Sequence, residues 1–340
     1  MNLRPIFPLL LTLAVGACAT PAPAPTQTPA PTPSRLYAAV AMTKAQKNSS
    51  TPLDSGLYVR DAAGQWTHFG PRILGVASMA MDPADPGVLL LASADGVMRT
   101  VDGGRTWRKA TGWEVADVRS IAFDRANPAR VYAATAWGPL RSSDAGATWQ
   151  LAQQGLDRLY CQTIVADTAH PGRVLLGTEE GVYVSTDEAN SWQRAAFPVV
   201  SVLRLAQSAA EARLLLAGTQ GRGAWLSRDD GQTWTAMDPG TAMANLYAAA
   251  LSPHEAAQMA VGGWAVGVRV SADGGRTWAD RTAGLPSANV FVLAFDPDVK
   301  GRLWASTFEE GTFYSDDLGL TWRDGGLYGA YASDLVFLRR

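Results

Sequence analysis

The 340-residue sequence is poor in the residues that most often build reactive or metal sites. It has two cysteines, Cys18 and Cys161, and three histidines, His68, His170 and His254. None of these has metal-ligand spacing, which argues against a Cys/His zinc site. Three isolated histidines also leave no Ser/His/Asp set, and no glycine-rich phosphate loop is present. No cofactor, metal or catalytic residue is therefore expected. Charge of one sign is missing as well. Lys and Arg number 29 against 31 Asp and Glu, a net −2, and the basic residues are scattered. That gives no electrostatic case for a nucleic-acid partner. Long apolar runs are scarce too. The run "PIFPLLLTLAVGA" at 5–17 has 13 residues, too short to span a bilayer comfortably.

What is present begins with that run. Behind "MNLR" it fits a secretory signal. It ends in "VGAC" at 15–18, which resembles the lipobox of bacterial lipoproteins. The resemblance implies cleavage before Cys18, which then carries the lipids. The next residue is Ala19, not Asp, which in the common enteric sorting scheme implies the outer membrane. Residues 19–34, "ATPAPAPTQTPAPTPS", are too rich in Pro, Ala and Thr to build a core and read as a tether. The expected organisation is a signal peptide over 1–17, a lipidated Cys18 and tether over 18–34, and one domain over 35–340. With Cys18 acylated, Cys161 has no disulfide partner.

The domain repeats itself. "SADGGRTW" at 271–278 returns as "TVDGGRTW" at 100–107, "SSDAGATW" at 142–149, "SRDDGQTW" at 227–234 and "SDDLGLTW" at 315–322. Two degenerate copies, "VRDAAGQW" at 59–66 and "STDEANSW" at 185–192, complete the series. The closing tryptophans, Trp66, Trp107, Trp149, Trp192, Trp234, Trp278 and Trp322, are 41 to 44 residues apart. Each unit holds four short β-forming runs, a to d, broken by Gly, Pro, Asp and Asn. Four strands in about 42 residues is the pattern of a propeller blade, so the fold expected is all-β with seven blades. "LYAAVAM" at 36–42 matches strand b and "GLYVR" at 56–60 matches strand c, so the domain begins without a strand a. "ASDLVFL" at 332–338 matches strand a and then stops. The C-terminal strand is expected to complete blade 1 and close the ring.

The box S/T-x-D-x-G-x-T-W resembles the Asp-box, or BNR, repeat. That repeat occurs in sialidases, in xyloglucanase-type glycoside hydrolases, in the luminal propeller of sortilins and in photosystem II stability/assembly factors. The resemblance covers about 35–340 and implies the architecture more than an activity. The box reads as a c–d hairpin turn. Its Asp (Asp102, Asp144, Asp187, Asp229, Asp273, Asp317) accepts backbone N–H bonds. Its Gly supplies positive φ. Its Trp (Trp107, Trp149, Trp192, Trp234, Trp278, Trp322) packs between blades. In "STDEANSW" Ala189 stands at the Gly position, and Asn190 is expected to take the left-handed conformation. One aspartate per blade at a peripheral turn cannot converge on one substrate, so these are structural carboxylates rather than a glycosidase pair.

Comparison of the copies separates constant from varied positions. A Gly precedes strand c in all seven, from Gly56 to Gly311, while the residue before it varies: Ser55, Asp95, Trp137, Glu180, Arg222, Val266, Glu310. The residues at the lip of strand a vary too: Gly75, Asp117, Tyr160, Ser201, Asn245, Asn289, Tyr331. Both sets belong to the face opposite the boxes, where binding residues are expected. Trp113, Trp137 and Trp264 are loop tryptophans on that face and the first candidates for ligand contact. Tyr160, Tyr247 and Tyr331 come next. Arg119 and Arg222 suit an anionic group; Glu180 and Glu310 suit a cation or a sugar hydroxyl. The b–c loop at 43–55 reads as a lid or a mobile segment. The partner expected is an envelope protein or a glycan, with the membrane reached only through the lipid, and the chain is expected to be a monomer. The assembly-factor resemblance implies a non-catalytic binding or assembly role. The alternative is a sialidase- or xyloglucanase-like glycoside hydrolase acting through carboxylates of the varied face.

Overall fold

The computed structural model describes Met1, 32–43 and 55–339. Residues 2–31, which hold most of the expected signal peptide, Cys18 and most of the expected tether, and the 44–54 part of the first b–c loop lie outside the described residues. The domain is a ring of seven four-stranded antiparallel sheets, each running a-b-c-d from the axis outward. In blades 2 to 7 the inner strand a comprises Val76–Met81, Val118–Phe123, Cys161–Ala166, Val202–Gln207, Ala248–Leu251 and Val290–Phe295. In blade 1 it is Ala330–Leu338, paired with Arg35–Thr43 from Arg35↔Leu338 to Thr43↔Ala330. The C-terminal strand thus closes the ring, starting two residues earlier than the repeat predicts.

Among the described residues the apolar core is divided between the blades. Seven apolar clusters lie one at each interface between consecutive blades; Val88, Leu90 and Val97 meet Val118, Ile121 and Phe123 between blades 2 and 3, for example. This explains the strand b sequences. "LLLAS", "VYAAT", "VLLGT", "LLAGT", "MAVGG" and "LWAST" are buried at every position because a blade covers each face. Strands sandwiched on both sides read as continuous apolar runs instead of alternating.

Six of the seven box turns share one fold, the degenerate first box at 59–66 being the exception. In Asp102 one carboxylate oxygen accepts from the N–H groups of Arg105 (3.0 Å) and Thr106 (2.9 Å), and the other from the Thr106 hydroxyl (2.6 Å). The Thr100 hydroxyl donates to Asp102 (2.7 Å) and accepts from Gly104 N–H (3.0 Å). Ser271, Asp273 and Thr277 repeat this pattern. The first and seventh box residues therefore bond as heavily as the Asp does. Hydrogen bonds from the N–H and hydroxyl of Thr277 hold Asp273 at about 2, and those from Ser315 and Thr321 hold Asp317 at about 2, below the usual 3.8.

One expectation needs correction. Ala189 itself takes positive φ (61°), and Asn190 is not left-handed; it donates from its side chain to Asp187 O instead. Both the fourth and fifth box positions are left-handed, so Ala145, Glu188, Asp230 and Leu318 adopt φ of 55° to 64° at the fourth. The strain is offset by a bond from that residue's N–H to the a–b turn, as from Leu318 to Gly301 O (3.2 Å). The box tryptophans pack at the blade interfaces as the sequence predicts, and their indole N–H partners divide. Trp107, Trp149, Trp234 and Trp278 donate from Nε1 to the Gly of their own box at 3.0 to 3.2 Å. Trp66, Trp192 and Trp322 reach the preceding blade, at Gly325 O (2.6 Å), Ala152 O (2.7 Å) and Arg281 O (2.7 Å).

Candidate functional site

The opposite face carries the b–c and d–a loops. All seven b–c glycines are left-handed, from +65° at Gly223 to +132° at Gly56, as the repeat predicts. The lip residues form a backbone chain linking blades. Gly75 N–H donates to Ala41 O (3.2 Å), Ala94 N–H to Gly75 O (3.0 Å), Asp117 N–H to Ala94 O (2.8 Å) and Ala136 N–H to Asp117 O (3.2 Å).

Just inside this lip, strand a bulges. The register shift leaves Ala77, Arg119, Gln162, Leu203, Phe291 and Ser333 as extra residues, and Tyr247 stands at the same place in blade 6. A bulge re-aims a side chain, here toward its counterpart in the next blade. Arg119 donates to Gln162 (2.8 Å), and Tyr247 stacks on Phe291 with ring centroids 4.9 Å apart. The Ser333 hydroxyl lies 2.6 Å from Val76 O. These residues ring the channel mouth.

The mouth has two unlike sides. On blades 3 and 4, Arg119 pairs with Asp117 (2.7 Å) and lies over the ring of Tyr160 (4.5 Å). On blades 6, 7 and 1, Tyr247, Trp264, Phe291, Phe308 and Tyr331 form one aromatic cluster. Phe291 meets Tyr331 at 4.7 Å and Trp264 at 6.0 Å, and Trp264 meets Phe308 at 5.4 Å. Burial raises the Tyr331 phenol, Tyr247 adds to the rise and the charge of Arg119 opposes it. Beneath the mouth, Arg204 of blade 5 reaches Asp334 of blade 1 at 2.9 Å, across the channel past blades 6 and 7. Ser78 of blade 2 donates to the same carboxylate (2.9 Å). This cross-channel pair floors the mouth, so the mouth is a cup.

Of the predicted residues, Asp117, Arg119 and Tyr160 come together, as do Tyr247, Trp264 and Tyr331. The others stand apart. Glu180 lies 3.5 Å from Arg158, and Arg222, exposed, uses its carbonyl to hold the Trp225 indole (3.1 Å). Glu310 is half-buried in the b–c turn of blade 7. Trp113 and Trp137 are 91% and 64% exposed on the loops of blades 2 and 3, away from the cluster. Two of the varied b–c positions, Ser55 and Val266, are buried and belong to the scaffold. Gln162, Leu203, Phe291, Phe308, Arg204 and Asp334 were missed. All but Phe308 sit in strand a, and aligning its second residue across the repeats reveals a varied column beside a constant one. Cys161 is buried, which pushes its thiol up to about 12, and it is no nucleophile.

Exposed large apolar side chains favour this face. Leu74, Trp113, Leu159, Val199, Met243 and Tyr328 stand on d–a loops, Trp137 and Trp264 on b–c loops. The box turns expose only Val101 and Leu320.

A family model described as Sortilin-Vps10 (sortilin, neurotensin receptor 3) matches residues 139–261. No curated protein matches the sequence. Among solved structures, the GH74 xyloglucanase from Xanthomonas campestris aligns at 20% identity and TM-score 0.65, covering 84% of this chain and 52% of its own. The GH74 enzyme of Niastella koreensis aligns at 17% and 0.66, covering 78% and 50%. This chain thus spans about half the length of those enzymes. The structure of YCF48 bound to D1 peptide aligns at 19% identity and TM-score 0.57, covering 73% of this chain and 81% of its own. The chain resembles all three types, and at these identities the likeness establishes the propeller fold alone.

Proposed function

We propose that the protein is a non-catalytic binding module that holds a segment of another envelope protein in the cup at the channel mouth. On this reading the chain is exported and tethered to the outer membrane through a lipidated Cys18. The observation that carries it is the mouth itself. Five aromatic rings line one side, a held Arg119 lines the other, and a cross-channel ion pair closes the floor. Such a cup offers large apolar contact with little side-chain entropy left to lose, the composition of a protein-recognition hot spot. Two carboxylates of the mouth are committed, Asp117 to Arg119 and Asp334 to Arg204 and Ser78. The box aspartates are each tied into a separate turn. Glycosidase chemistry needs two acids free to face one bond. YCF48, solved with a peptide and matched over 81% of its length, and the GH74 enzymes, of which this chain spans about half, differ in the direction that favours binding over hydrolysis.

The test is affinity capture from envelope extract with the lipidated protein, alongside hydrolysis assays on sialosides and β-glucans. Capture of one protein by the wild type, lost in Phe291→Ala and Trp264→Ala, supports the proposal. Turnover of either glycan overturns it, as does capture indifferent to both substitutions.

A further inference from the structure

A cavity of about 460 Å³ lies between blades 2 and 3 and shares no residue with the channel mouth. Its volume is that of a small-ligand site. Its walls are apolar, formed by Val115, Leu140, Leu151 and the rings of Trp137 and Trp149. Its few polar groups are mostly committed. The Thr135 hydroxyl donates to Gly138 O (2.7 Å) and accepts from Trp137 N–H (2.9 Å), and the Thr111 hydroxyl accepts from Val97 N–H (3.2 Å). Glu114 is the one acidic side chain in the wall. It is exposed, and among the described residues it makes no ion pair. Trp137 is exposed but not loose. Its N–H is held by Thr135, and its carbonyl accepts from Gln153 (2.8 Å), so the turn presents the indole on a fixed backbone.

We propose that this cavity binds a lysine or arginine side chain of a partner polypeptide, flanked by apolar residues. The proposal rests on the reading of the loop face as a binding face, and names the chemistry recognised at a second place on it. A cation with an apolar stem satisfies all three features of the wall. The stem covers Val115, Leu140 and Leu151, the charge lies against the indole face, and Glu114 neutralises it. A sugar needs several donors and acceptors, and the wall offers only Glu114, the Thr111 hydroxyl and the Trp137 indole N–H with capacity to spare, whereas one cation needs Glu114 alone. An acidic segment meets repulsion without compensation. The molecule already builds this arrangement one blade away, where the Arg119 guanidinium lies over Tyr160 and pairs with Asp117.

The test is calorimetric titration of the full-length protein with the blocked tripeptide acetyl-Leu-Arg-Leu-amide, and with its Leu-Glu-Leu counterpart. The arginine peptide is expected to bind about tenfold or more tightly than the glutamate one, with affinity falling as salt rises. Glu114→Gln should weaken it by about fivefold and Trp137→Ala by about tenfold, with melting unchanged because both side chains are exposed. Phe291→Ala, at the mouth, should leave it unaltered. Equal binding of the two peptides, or unchanged affinity in Glu114→Gln, overturns the proposal. So does binding of phosphatidylcholine vesicles that Trp137→Ala abolishes without discrimination between the peptides, which would make the cavity a lipid contact. If the arginine peptide does not bind while Phe291→Ala still loses a captured client, this proposal fails and the mouth reading stands.

Discussion

The two faces of the ring are made from the same repeats and treat them oppositely. On the box face the Ser/Thr, Asp and Ser/Thr of six turns spend their hydrogen bonds on one another, and in four of them a non-glycine residue at the fourth box position is strained to make the turn. On the loop face the glycines are constant, but the residues beside them are a tryptophan in one blade, a glutamate in the next and an arginine in another. Eight large apolar side chains stand exposed there against two on the box turns. A propeller has no central core to protect, so each blade interface can be stabilised by itself. The loop face is then free to vary without loss of the fold.

The sharpest break of this comparison is at the closure, where both faces depend on one strand. Deleting 330–340 leaves blade 1 with three strands and two interfaces unmade, a loss of the order of the whole stability of a domain, about 5–15 kcal/mol. The truncated chain should show no cooperative melt; a melt like that of the full chain would refute closure. Next come the tryptophans. Trp192 is 3% exposed and bonded to the preceding blade, and Trp192→Ala should cost about 3–5 kcal/mol by denaturant titration. Trp113→Ala on the loop face should stay within about 0.5 kcal/mol. Arg204→Ala leaves Asp334 buried with Ser78 alone and should cost about 1–3 kcal/mol, discounted because the arginine is 31% exposed. Adding Asp334→Leu should recover most of that loss.

A smaller effect follows from acid. The box carboxylates titrate lower in the folded chain than in the unfolded one, so the stability they confer is complete above their unfolded value near 3.8 and is lost as pH falls toward about 2. The melting temperature should therefore fall below about pH 4, and Asp273→Asn should flatten that dependence. Substitutions among the exposed loop residues should leave this acid limb unchanged.

The box face was legible in the sequence because its requirements are local. Asp102, Gly104 and Trp107 fold a turn of eight residues, and seven copies fix the blade count and even the closing strand. The misreading there concerns conformation at a single residue, Ala189, where a bond from its N–H to the Ser185 hydroxyl (2.9 Å) holds a positive φ against backbone preference. The loop face was legible only as a set of variable positions. Asp117, Arg119 and Tyr160 lie within one repeat step of each other and came together, as did Tyr247, Trp264 and Tyr331. Arg204 and Asp334 carry no such signal. They are 130 residues apart and meet only because the ring brings blade 5 opposite blade 1. Phe291 and Gln162 owe their placement to a bulge, which the strand pattern of "VFVLAF" and "CQTIVA" does not announce.

The division of labour between the faces is tested most directly by two substitutions measured together, Trp264→Ala at the mouth and Asp273→Ala in a box. For each, the melting temperature and the capture of the envelope partner are recorded at a temperature where both variants remain folded. Trp264→Ala is expected to lose the partner and keep its melting temperature, while Asp273→Ala is expected to melt earlier and keep the partner. The reverse pattern, with the box variant stable but unable to capture, would contradict that division of labour.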